Sequence, residues 1–324
     1  WSGLPLASVP ARAALDHRLR DARSRGKDER HRFSIYVLRE VAFQPHEEDF
    51  AGNTTLGHVL SQISNTADAQ ALRSAVPGSR FKRYNSAASG SLLDAARLYV
   101  LDAQLRGAFL ELIHFAEVAV RDAFHTTLSS TYGHDWFTGK NVVLDDRTRD
   151  RFREAEKRVT IAAATPERII AEASFGAWTD LLEVGATSSG GNGLAGRADY
   201  ERDLWNGRLE NLFSSVAFPG QSSRRQQAAS LLRRVARLRN RVAHHESIIF
   251  GVHQPGERDP SGNYKRQSPS GSLEDVRLVI DTFCGSSAST WIGTCTHVDE
   301  ILTEPLAAQG LAEVRRLLSR TIWI

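Results

Sequence analysis

Residues 92–130 read LLDAARLYVLDAQLRGAFLELIHFAEVAVRDAFHTTLSS. Leu98, Leu101, Leu105, Phe109, Leu112 and Phe115 recur at steps of three and four, which places them on one face of a helix. No proline interrupts the stretch, so it predicts one long helix or two in tandem. Gly133, just beyond it, predicts the end.

Downstream, 145–161 is a charge-laced stretch that predicts a polar helix. Thr165-Pro166-Glu167 has the form of a helix start: a hydroxyl cap, a proline in the first turn and an acid beside the positive end. That helix is expected to run through Ile169 and Ile170 toward 175–182. Residues 185–196 are rich in Ser and Gly and predict a flexible loop. Residues 200–218 carry Tyr200, Trp205, Phe213 and Phe218 before Pro219 and Gly220. A helix is expected over 222–245, a second loop over 253–271, and tail helices near 273–283, 296–302 and from Leu311. Convincing alternating strands are missing, so the fold class is all-α.

Upstream of Pro77 the pattern differs. Residues 11–32 are charged and Ala-rich and 33–43 more apolar. We read 1–76 as an N-terminal helical extension without a motif, and 77–324 as the main domain. The composition, 41% hydrophobic and 24% charged, is that of a globular chain. No apolar run approaches the ~20 residues of a membrane span, and the first thirty residues alternate charge with Ala instead of forming a secretion signal. A cytoplasmic location is therefore expected, with no membrane partner. Cys284 and Cys295 are too few for a disulfide framework or a metal site.

The net charge is only +3, but between Asn211 and His245 there is no acid, while Arg224, Arg225, Arg233, Arg234, Arg237, Arg239 and Arg241 all fall there. Such a stretch suits a phosphate-bearing partner; equally, it suits a solvated face balanced by acids elsewhere. On a helical wheel Leu231, Val235, Leu238 and Val242 fill an arc of about 60° facing the core. Asn240 and His244, four apart, are neighbours on the far side, flanked by Arg233 and Arg237. Arg239 sits about 100° from Leu238, beside Ala236 and Ala243, whose small side chains leave room for another helix.

These are the parts for cleaving RNA without a metal. His244 can exchange a proton near neutral pH. A guanidinium matches phosphate oxygens and the charge of a pentacovalent transition state. Asn240 can hold the imidazole or a substrate hydroxyl. The 2′-OH would attack the adjacent phosphate. Base and acid roles want two histidines, which a symmetric dimer supplies. The plainer alternative is a histidine at a helix C-terminus with arginines on an outer face, both common. Zinc at His244, His245 and Glu246 is poorly supported, because adjacent histidines on a helix point about 100° apart.

The string Arg237-Leu-Arg-Asn-Arg-Val-Ala-His-His-Glu246, followed by Ser247-Ile-Ile249, resembles the signature of Abi-like (abortive infection) proteins of the HEPN superfamily, R-N-x-x-x-H, with Ser247 where that group often has Pro. Phe81-Lys-Arg-Tyr84, Ala96-Arg-Leu-Tyr99, the 109–125 stretch with Glu117, Arg121 and His125, and Ser174-Phe-Gly-Ala-Trp178 resemble the group's other blocks in order; Asp122 stands where Asn is usual. The similarity spans roughly 77–302. It implies a HEPN-like helical bundle that pairs through the motif helix, and a metal-independent endoribonuclease of an anti-phage or toxin system. By the motif, Arg239 and His244 are catalytic with Asn240 supporting them. His245, Glu246 and a Glu117–Arg121 ion pair are expected to support the site, although the i,i+4 spacing of that pair is equally what an ordinary surface pair would show, and Arg233, Arg237 and Arg241 are expected to bind RNA. The implied partners are RNA, a second copy and a cognate antitoxin, with no cofactor. In some HEPN systems a nucleotidyltransferase modifies the toxin, and Tyr264 and the hydroxyls of 253–271 are the candidates here. The alternative is a non-catalytic module that binds RNA or a partner.

Overall fold

The computed structural model describes residues 63–159, 165–218, 222–258 and 262–285, with residues 290 and 292. All belong to one compact unit, Thr54–Ile324. Residues 1–62 of the extension, the helices expected at 296–302 and from Leu311, and Cys295 lie outside the described residues.

The periodic stretch is one helix, α3 (Leu92–Tyr132), of 41 residues and about 60 Å. Ser91 caps its start by accepting from Asp94 N, and Gly133 ends it at φ 85°, a conformation that favours glycine. Leu98, Leu101, Leu105, Phe109, Leu112, Val120, Phe124 and Leu128 are buried along it. Helices α1 (Thr66–Ala75) and α2 (Gly78–Ala87) pack on α3, so α1, placed by the sequence in the extension, is part of the same unit.

After a 3₁₀ turn at Trp136–Thr138 comes α4 (Asp146–Arg158), which buries Phe152 and Ala155 and, among its charged residues, Arg149. The Thr165-Pro166-Glu167 start is borne out: Thr165 caps α5 (Pro166–Glu172) with proline in its first turn. The helix does not run on to 182. It breaks at Ala173 and Ser174, both extended, and restarts as α6 (Phe175–Asp180). The break lets Trp178 enter an aromatic cluster with Phe124, Trp136 and Phe152, at centroid distances of 5.5–6.3 Å.

Both expected loops contain a hairpin. In the first, β1 (Thr187–Ser189) pairs antiparallel with β2 (Ala195–Arg197). It is tied to α4 because the buried Arg149 donates to Ser188 Oγ and to the Gly190 carbonyl, both at 2.8 Å. A kinked helical segment, Glu201–Leu209, bends at Asn206 and Gly207. Helix α7 (Arg224–Ala243) carries the motif. In the second loop β3 (Val252–Arg258) pairs antiparallel with β4 (Tyr264–Gln267), and α8 (Pro269–Cys284) then packs on α3 and α7. The chain is mostly helical; among the described residues its strands form only these two hairpins.

Candidate functional site

Helix α7 starts at a capping box: Ser223 accepts from Gln226 N while the Gln226 side chain accepts from Ser223 N. Its wheel is as the sequence reads. Leu231, Val235, Leu238 and Val242 are buried, and Asn240 and His244 are exposed. Among the described residues neither of these two side chains makes a hydrogen bond, so both are open to a ligand or another chain.

Arg239 lies between core and solvent, with 37% of its side chain exposed, and it faces α3. There Glu117 joins two guanidiniums. Its Oε1 accepts from Arg121 Nη2 at 2.6 Å, and its Oε2 stands 3.4 Å from Arg239 Nε. The Glu117–Arg121 pair is therefore formed, and it lies against the motif arginine, 122 residues away in sequence. Glu117 is 13% exposed, so this carboxylate fixes where Arg239 points more firmly than a fully hydrated one would. Of the two small residues beside Arg239, Ala236 is half-buried against the core and Ala243 is exposed.

The end of α7 is held from beneath. His244 is the cap, and His245 follows at φ 55°. Glu246 N donates to the Arg241 carbonyl at 2.8 Å and His245 N to that of Val242 at 3.1 Å, the two bonds of a Schellman ending. Its left-handed residue is usually glycine, and a side chain there costs about 1–2 kcal/mol. What holds His245 in place is its carbonyl, which accepts from both Arg80 and Arg106. The support attributed to His245 is therefore a backbone one, and its side chain is exposed.

Beneath that turn lies a polar group that sequence reasoning missed. Asp102, fully buried on α3, accepts at Oδ1 from the backbone N–H of Ile248 at 3.0 Å and of Ile249 at 2.9 Å. Its Oδ2 accepts from Tyr84 Oη and stands 3.8 Å from Arg106 Nη1. Burial, then the Asp102 charge, pushes the Tyr84 phenol well above its ordinary pKa. The available signal was an aspartate one position past Leu101, on the apolar face of α3.

The basic stretch is balanced by acids from other elements. Arg225 pairs with Glu201, Arg233 with Glu183, Arg234 with Asp275 and Arg241 with Glu246. Arg237 donates to the buried Gln254 at 2.8 Å, and Arg224 to the Phe213 carbonyl. All three expected RNA-binding residues, Arg233, Arg237 and Arg241, are thus engaged within the chain. Arg241 has company that the sequence hid. Arg83 stacks 4.3 Å over the Phe250 ring; Arg266 donates to the Gly251 carbonyl at 3.0 Å and contacts His253; Arg241 donates to the Ser247 carbonyl at 3.2 Å. Three arginines from three elements thus hold one turn, 247–253. Burial lowers the pKa of Arg83 and of Arg266; Arg241 lowers that of Arg83 further, and Arg83 and then Arg241 that of Arg266.

Tyr264 is half-exposed, with Arg258 4.6 Å over its ring. At the far end of α3, His125, His134 and Glu167 bring ligand atoms within 4.8 Å of one another. Trp136 Nε1 donates to His125 Nδ1 at 3.1 Å, and burial lowers the His125 pKa. The sequence reading expected no metal and did not single this group out.

No protein-family model, no curated protein and no solved structure matches the chain. Among the described residues, no helix is long and apolar enough to cross a membrane.

Proposed function

We propose that this chain is a metal-independent RNA endonuclease of the HEPN type, acting in anti-phage abortive infection or as a toxin, with its reaction centre formed where two copies meet through α7. The observation that carries the reading is the placement of Arg239. It is positioned by Glu117 beside Arg121, on the helix whose exposed end presents Asn240 and His244.

In this reading His244 removes the proton from a ribose 2′-OH, and its twin in the second copy protonates the leaving 5′-oxygen. Arg239 stabilises the charge on the pentacovalent phosphate. Support for a second copy comes from α3. By helical spacing Leu110, His114 and Val118 share a face with Glu117 and Arg121, and Leu110 and Val118 are 52% and 47% exposed. Apolar side chains flanking charged site residues suit a self-complementary contact. The Arg83, Arg241 and Arg266 group, around the turn that follows α7, offers cationic charge for a neighbouring phosphate of the strand, with Arg241 shared with Glu246.

Purified chain incubated with mixed RNA in EDTA is expected to cut it, while His244→Ala leaves the RNA whole. Equal RNA survival in the two samples would count against the proposal. One observation favours a second reading, a non-catalytic module that binds RNA or a partner: most arginines of α7 already have acids of their own chain. Salt-sensitive RNA binding, insensitive to His244→Ala and without product, is the expected signature of that reading.

A further inference from the structure

Three potential ligands converge where α3 ends. His125 lies in the last turns of that helix, His134 directly follows Gly133, and Glu167 stands in the first turn of α5. Their ligand atoms lie within 4.8 Å of one another. The His125 and His134 rings stand 6.2 Å apart between centroids and the Glu167 charge acts on both imidazoles, but no hydrogen bond or ion pair among the described residues joins the three.

We propose that His125, His134 and Glu167 bind a divalent cation of the zinc type, which clasps the end of α3 to the start of α5. Two imidazoles and one carboxylate suit zinc, whereas magnesium and calcium prefer oxygen ligands alone. Bonds of about 2.0–2.2 Å in a tetrahedral site put ligand atoms roughly 3.3–3.5 Å apart. Each pair therefore closes by at most ~1.5 Å. That closure is within reach of side-chain rotation, because His134 and Glu167 are exposed while His125 is half-buried.

Trp136 is the internal reporter. It is fully buried, and its Nε1–H donates to His125 Nδ1. With Nδ1 accepting, the neutral ring carries its proton on Nε2. Coordination through Nε2 moves the proton to Nδ1, where it faces the Trp136 N–H, so that hydrogen bond breaks and the Ser129 hydroxyl, 3.4 Å from Nδ1, is the acceptor at hand for the new N–H. His125 is one helical turn from Arg121 and eight residues, about 12 Å along α3, from Glu117, so the cation would sit at the end of α3 and not at Arg239.

The test is a zinc titration of the full-length, chelator-stripped chain by calorimetry, with the Trp136 indole N–H followed by NMR. The expected result has three parts: zinc binds, the Trp136 resonance moves, and His134→Ala and Glu167→Gln each weaken that binding at least tenfold. Both positions are exposed: His134→Ala is expected to leave the thermal transition of the zinc-free chain unchanged, and Glu167→Gln, which removes the acid from the first turn of α5, to lower it slightly. Failure to bind zinc, or binding unchanged in either variant, overturns the proposal; the second result would mean that the ion sits elsewhere, on other histidines of the chain. The titration reads binding and not cleavage, so it and the nuclease reading stand or fall separately.

Discussion

The turn at the end of α7 has two sides, and they treat polar groups in opposite ways. On the inner side Asp102, Tyr84 and Arg106 are buried and bonded to one another or to the chain around them. On the outer side Asn240 and His244 are exposed and make no side-chain hydrogen bond among the described residues. A buried polar group without partners costs stability, so the inner set must be satisfied for the chain to fold. The outer set has no such obligation, and its residues are free to be chosen for what they meet. Arg239 joins the two regimes: it is half-buried and ion-paired through Glu117, yet stands beside the open pair.

Substitutions should separate the two sides. Asp102→Ala removes the acceptor for two backbone donors and for Tyr84, and strips Arg106 of its counter-charge. A loss of about 3–5 kcal/mol is expected in denaturant unfolding. Loss of under about 1 kcal/mol would mean that the inner side is not what anchors the turn.

The Tyr84 phenol gives a pH signature. Its folded pKa is raised, so its contribution is fully present below the unfolded value, about 10. It is lost as pH climbs from there toward the higher folded value. Burial also raises Tyr132 and Tyr200, so Tyr84→Phe is expected to flatten the alkaline fall in stability only in part. An unchanged slope would contradict the role given to Tyr84.

His245→Gly relieves the left-handed backbone but loosens the unfolded chain, for a net gain of about 0.5 kcal/mol. A loss instead would mean that the imidazole has a partner beyond the described residues. On the outer side, Asn240→Ala and His244→Ala are expected to move stability by no more than about 0.5 kcal/mol, since both are exposed. Thermal melts that fall by several degrees would place these side chains in the fold and not in a site.

Much of this was legible in the sequence where a short-range rule governs. The period of three and four between Leu98 and Phe115 specifies α3, the Thr165-Pro166-Glu167 run specifies the start of α5, and the wheel of α7 separates its buried and exposed faces. What was hidden depends on long-range partners. The break at Ala173 and Ser174 follows from seating Trp178 among aromatic rings. Asp102 is explained only by two amides 146 and 147 residues away. The acids that balance α7 come from Glu183, Glu201 and Asp275, none of which is near it in sequence. The hairpins inside 185–196 and 253–271 are short, and their Gly and Ser content reads as loop. The Glu117–Arg121–Arg239 link was half visible: i,i+4 spacing suggested the first pair, while the contact to Arg239 needed the fold.

The central claim is that the outer face of α7 meets its own twin. It is tested most directly by oxidative cross-linking of His244→Cys in a chain whose Cys284 and Cys295 are replaced by Ser. A disulfide-linked dimer on a non-reducing gel is the predicted result. A thiol that reacts readily with a maleimide yet never links two chains would contradict it.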